Sequence, residues 1–159
     1  MTALRVFPFI GALIAIAAVV LAIIGVSTTY WVSTGLNIHS GLWQSCTAGI
    51  CIRTDGGRAA AFALTALIAI GVAALLAIFS GLARNKSDAS NNMARLCGII
   101  SVILLFSSGV LIAASLYTYI GAKYATGYSF TLMAIAQFLS FLAAMLVAHW
   151  MGHSFTVIS

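Results

Sequence analysis

Four long runs of this chain contain no Asp, Glu, Lys or Arg, and that leaves few folds open. They cover about residues 6–28, 59–83, 96–119 and 129–152. A helix needs roughly 20 apolar residues to cross the hydrocarbon of a bilayer, and each run is long enough. In lipid, every backbone N–H and C=O must be satisfied by the protein itself, so single runs of this kind span as helices. Charged residues make up 6% of the 159, against about 25% in soluble domains, and mean hydropathy is +1.16. These values describe a membrane protein before any motif is considered. The first run exceeds the apolar core of a signal peptide, about 7–15 residues. Pro8 falls in its first helical turn, where a missing N–H costs little. The expected organisation is one tetraspan domain over residues 1–159. Its first outer loop covers 29–58, its cytosolic loop 84–95 and its second outer loop 120–128.

Sidedness follows from the sparse charges. Arg5, Arg84, Lys86 and Arg95 fall on one side, and Arg53, Arg58 and Lys123 on the other. The positive-inside rule then puts both termini and the middle loop in the cytosol, which fits a multi-pass protein of the plasma membrane. The sequon Asn85-Lys86-Ser87 lies in that cytosolic loop and is expected to stay unmodified. Ser87 and Ser90 share the loop and are sites a kinase would reach, with nothing beyond exposure to favour them. Tyr30, Trp31, Tyr117, Tyr119, Tyr124 and Tyr128 cluster at the outer interface, and Phe7, Phe9, Phe79 and Trp150 at the inner one, as in an aromatic belt.

Hydrophobic burial does not drive helices together in lipid, whereas close packing of small residues does. The first run carries Gly11, Ala15, Ala18, Ala22 and Gly25, at the alternating steps of a left-handed seam. The second carries Ala59, Ala63, Ala66, Ala69, Ala73, Ala77 and Gly81, and the fourth Ala136, Ser140, Ala144, Ala148 and Gly152. The third offers Ser101, Ser108 and Ser115 one heptad apart. A left-handed four-helix transmembrane bundle is expected, all-α within the membrane. The same stripes would also suit contact with another protein. Gln137, mid-span, is read as an interhelical hydrogen-bond former.

The remaining stretch, Trp31 to Arg58, is the only loop with room for a fold of its own. Thr28, Thr29, Tyr30, Trp31 and Val32 are β-branched or aromatic, and Gly35 breaks the run. Cys46-Thr47-Ala48-Gly49-Ile50-Cys51 reads as a hairpin whose Gly49 tolerates a positive φ. Cysteines opposed across such a hairpin are close enough to bridge; the alternative is two free thiols in a structureless loop. The expected product is a small extracellular antiparallel β-layer. Asp55 is placed to cap the second helix, with Arg58 near enough to pair with it.

In combination these residues resemble the superfamily of claudins, peripheral myelin protein, epithelial membrane proteins and the lens fibre membrane intrinsic protein. That pattern is a Trp after the first span, Gly-Leu-Trp, two cysteines and an Arg opening the second span. It is met by Trp31, by Gly41, Leu42 and Trp43, by Cys46 and Cys51, and by Arg58. The segment Cys46 to Asp55 is most similar to the lens-protein branch. Ile112 to Thr118 and Gly127 to Phe130 are similar to the epithelial membrane proteins. The resemblance implies a structural role in cell–cell or membrane–membrane contact and lateral organisation. The alternative it implies is an auxiliary subunit of an ion channel or receptor. Claudins have a much longer, charged first loop, so a claudin-type paracellular pore is not expected. The last four residues, Thr156-Val157-Ile158-Ser159, end on a polar side chain and do not match the claudin docking signal.

Chemistry finds little support. The acids are Asp55 and Asp88, with no Glu, and they fall on opposite sides of the membrane. No paired-acid or nucleophile–base arrangement can form between them. No charge lies within a span to relay protons. His149 and His153 are one turn apart near Cys97, but three ligands without visible support make a weak zinc set. Cys97, beside Arg95, is a candidate for palmitoylation, with a plain buried thiol as the alternative. No cofactor, nucleic acid or small-molecule substrate is expected. The partners are the lipid bilayer and either a second copy or another membrane protein.

Overall fold

In the computed structural model, residues 7–33, 38–83, 88–120 and 127–155 are described. Arg5, Gly35, Arg84, the Asn85-Lys86-Ser87 sequon, Lys123, Tyr124 and the last four residues lie outside that set, as do the side chains of Asp88 and Ser90. Four helices form, α1 (Phe7–Ser27), α2 (Gly57–Ala83), α3 (Asp88–Ile120) and α4 (Tyr128–Phe155). Each is long and apolar enough to cross a membrane. Between α1 and α2 lie four short strands, β1 (Val32–Ser33), β2 (Ile38–Ser40), β3 (Gln44–Thr47) and β4 (Ile50–Arg53). They make one antiparallel sheet in chain order. The architecture is a multi-pass bundle with a sheet laid over one end.

The helices pack in a ring, α1 against α2 and α4, and α3 against α2 and α4. The α1 stripe is buried at all five expected positions. In α2 the expected Ala69 is only half-buried and Ile70 takes the interior position instead. In α4 the expected stripe departs from the interior after Ala144. Ala148 and Gly152 are exposed, and the buried line runs Ser129, Met133, Ala136, Ser140, Ala143, Val147 and Trp150. The cause is geometric. Repeated steps of four overshoot a 3.6-residue turn and walk around the helix, whereas alternating fours and threes stay on one face. Trp150 is accordingly 1% exposed, inside the bundle rather than in an interfacial belt.

Serines join α3 to its neighbours. Ser101 donates to the Ala73 carbonyl at 2.8 Å and Ser115 to the Ala59 carbonyl at 2.7 Å, both across to α2. Ser140 of α4 donates to the Leu105 carbonyl at 2.6 Å, and its oxygen lies 2.9 Å from that of Ser108. A buried hydroxyl in lipid has no water to turn to, so each must find a partner across the helix interface. Gln137, by contrast, is half-buried and makes no interhelical hydrogen bond among the described residues.

Helix α3 begins at Asp88, eight residues before the expected span. Most of the loop expected over 84–95 is therefore helical. Ala94 is fully buried, and Ser80 of α2 donates to its carbonyl at 2.7 Å. This contact docks the polar start of α3 onto α2 and lets the helix continue beyond its apolar part.

Candidate functional site

The last carbonyls of a helix have no partner within it. At the sheet end of α1, side chains supply them. Thr28 donates its hydroxyl to the Ile24 carbonyl at 2.7 Å. The Trp31 indole N–H donates to the Gly25 carbonyl at 2.8 Å, and that of Trp43 to the Val26 carbonyl at 2.9 Å. Two tryptophans from the loop thus cap the helix from which the loop departs. Trp31 reaches back by only six residues and Trp43 by 17. Both can do so because the sheet folds down onto the helix ends.

Trp31 is fully buried. Its ring lies 4.8 Å from that of Tyr119 and 6.2 Å from that of Phe130, so α3 and α4 close around it. The Trp31 backbone N–H donates to Ser40 and its carbonyl accepts from Gly127. Tyr119 also donates to the Ser40 carbonyl, at 3.2 Å. The neighbouring Thr28 and Ser129 hydroxyls are 2.6 Å apart and tie α1 to the start of α4. At Gly127 a Cβ would stand 1.7 Å from the Tyr30 carbonyl oxygen, so only glycine permits this crossing.

Gly41, Leu42 and Trp43 each have a distinct place. A Cβ on Gly41 would come within 2.6 Å of the Thr29 backbone. The loop there lies backbone to backbone on the end of α1. Leu42, 1% exposed, enters the main core cluster. Its carbonyl accepts from the Thr54 hydroxyl, and the Trp43 carbonyl accepts from the Thr54 N–H at 2.8 Å.

The hairpin between β3 and β4 turns at Ala48 and Gly49, with φ of 50° and 86°. Two successive positive φ values are the signature of a type I′ turn. The sequence marks Gly49 for this, but not Ala48. Register places Cys46 opposite Cys51 and the two are disulfide-bonded. Cys46 is buried, while every residue of β4 is exposed. The β1 side of the sheet is covered by Gly127 and Ser129, whose N–H groups donate to Trp31 and Tyr30. β4 is therefore the open edge, with Ile50 72% and Ile52 67% exposed.

Asp55 does not act as expected. The Gly57 N–H goes to Asp55's own carbonyl at 2.6 Å, and an i→i−4 bond at the start of the helix runs from the Ala60 N–H to the Gly56 carbonyl. Among the described residues, the Asp55 carboxylate neither caps α2 nor pairs with Arg58. Arg58 is exposed in the first turn of α2, beside a cavity of about 500 Å³ under the sheet. At the far end Cys97 is a partly exposed free thiol. His149 and His153 have ring centroids 4.7 Å apart, with Phe7 against His149. Among the described residues they form no group of three metal-ligating side chains with Cys97. Of the expected outer aromatics, Tyr30, Tyr117 and Tyr128 are exposed, whereas Trp31 is in the core.

No family model matches the chain. Over 109 residues it is 26% identical to mouse claudin domain-containing protein 2, which covers 69% of this chain and 62% of that protein. The chain is claudin-like. It thus spans about 62% of the length of the curated relative it matches. Four spanning helices and this similarity together describe a claudin-like, multi-pass membrane protein in contact with the lipid bilayer. The similarity does not single out the lens-protein or epithelial-membrane-protein branch.

Proposed function

We propose that this protein has a structural, non-enzymatic role at membrane contacts, presenting the disulfide-pinned sheet to an opposed membrane or to neighbouring copies. The observation that carries this reading is the open edge at β4. Unpaired strand edges with exposed apolar side chains are templates for association, and Ile50 and Ile52 provide such an edge beyond the helices. The disulfide and the charge distribution favour an outer placement of the sheet at the plasma membrane, with cytosolic termini. The spacing from Cys46 to Asp55 favours the lens-protein branch over the claudins proper.

Liposomes carrying the purified protein are expected to cluster, or the protein to form lateral oligomers in detergent. Ile50→Ser with Ile52→Ser should reduce both at least tenfold with the fold retained. Neither clustering nor oligomers in the wild type would defeat the proposal.

The auxiliary-subunit reading loses one of its supports, because most of the small-residue stripes are buried within the bundle. What favours it is a groove of about 740 Å³ on the outer face of α3 and α4, lined by Phe106, Phe138, Phe141 and Met145. Native co-purification discriminates between the two readings. A stoichiometric channel partner supports the auxiliary role, and self-association alone opposes it.

A further inference from the structure

We infer that the cavity beneath the sheet is a phospholipid headgroup site, with Arg58 holding the phosphate. Its volume of about 500 Å³ falls within the roughly 300–1,000 Å³ typical of small-molecule sites. The sheet side supplies Leu42 and Thr54, α2 supplies Arg58 and Ala59, and α3 supplies Thr118 and Tyr119. Among the described residues, Arg58 is the one charged group in this wall. Among the same described residues it has no carboxylate partner, Asp55 included.

Three of the neighbouring hydroxyls already have acceptors. Thr54 donates to the Leu42 carbonyl, Tyr119 to the Ser40 carbonyl, and Thr118 to carbonyls of its own helix. The guanidinium is, among the described residues, the charged donor an incoming anion would meet. Its planar fork matches phosphate oxygens in a bidentate pair.

Depth points to a lipid as the source of the phosphate. The cavity sits where α2 begins and α3 ends, at the boundary between the apolar spans and the sheet. Exposed Tyr30, Tyr117 and Tyr128 mark the same level, where interfacial aromatics meet headgroups. Below Arg58 the exposed face of α2 continues through Ala61, Leu64, Thr65 and Ile68. This is a largely apolar track along which an acyl chain can lie while its headgroup reaches the cavity. Arg53, the other described cation of the sheet end, is on the open β4 edge and does not line the cavity.

Native mass spectrometry of the purified full chain, with phosphatidylglycerol added in detergent, tests this directly. Wild type should retain one lipid. Arg58→Gln should weaken retention at least tenfold, and Arg58→Lys should fall between the two, keeping the charge but losing the fork. Arg53→Gln should match wild type. Diacylglycerol, which lacks the phosphate, should not be retained, and this arm needs no variant. Soluble glycerophosphoglycerol should fail to displace the lipid at equal concentration. Equal retention by folded Arg58→Gln, or equal retention of diacylglycerol, would overturn the assignment. Displacement by the soluble headgroup would overturn the lipid and leave a soluble phosphate compound as the ligand.

Discussion

The helix bundle and the sheet layer reach specificity by opposite means. In the bundle, contacts are made by what is missing: Gly11, Ala15, Ala18 and Ala22 of α1, and Ala63, Ala66 and Ala73 of α2, are buried because their small size lets backbones approach. In the sheet layer, contacts are made by bulk: Trp31, Leu42 and Trp43 fill the helix ends, and a disulfide fixes the strands. The solvent explains the difference. Inside the bilayer a large apolar side chain gains nothing by leaving lipid, so close packing and serine hydrogen bonds remain. At the interface water returns, and burying an indole while satisfying its N–H becomes favourable again. Small residues therefore line most of the helix seams within the bilayer, while Trp31 and Trp43 fasten the loop where water returns.

Mutations can break this contrast, and the largest effect is expected where the two layers touch. Gly127→Val puts a side chain into the Tyr30 carbonyl and should cost more than about 4 kcal/mol. The readout is loss of the monodisperse peak on size exclusion in detergent. Trp31→Ala removes a fully buried indole and should cost about 3–5 kcal/mol, read as a lower unfolding midpoint in mild detergent. If Trp31→Ala proved neutral, bulk would not be what holds the sheet.

Removing the disulfide with Cys46→Ser and Cys51→Ser should cost only about 2 kcal/mol, because the closed loop is short. Hydrogen exchange should quicken over Gln44–Arg53 and stay unchanged in the helices. Ser108→Ala should cost least, about 0.6 kcal/mol, again by thermal unfolding. A larger loss there than at Trp31 would reverse the contrast.

Much of this was legible in the sequence, because bilayer physics writes itself in long strokes. The four spans follow from apolar length and missing charge. The inward face of α1 follows from the alternating spacing of its small residues. The hairpin follows from two cysteines around a glycine turn. What escaped depends on chain reversal. Nothing local says that Trp43 reaches back to Val26, or that the Gly57 N–H meets Asp55's backbone carbonyl rather than its carboxylate. Trp150 was misplaced because an aromatic near a helix end has two homes, the interface and the interior, and only the 4–3 register through Ala143 and Val147 selects the second. Gln137 suggested the obvious polar bridge, yet the smaller serines make the bonds, since they bring the backbones close enough for a carbonyl to accept.

The central claim is that two loop tryptophans cap α1 and thereby fasten the sheet to the bundle. Solvent exchange of the indole N–H protons, measured by NMR on ¹⁵N-labelled protein in micelles, tests it most directly. The signals are assigned by replacing Trp31, Trp43 and Trp150 one at a time with Phe. The account predicts slow exchange for both Trp31 and Trp43, with the Trp43 N–H becoming fast in Trp31→Phe as the sheet loosens. Rapid exchange of both indoles in the wild-type protein would contradict it.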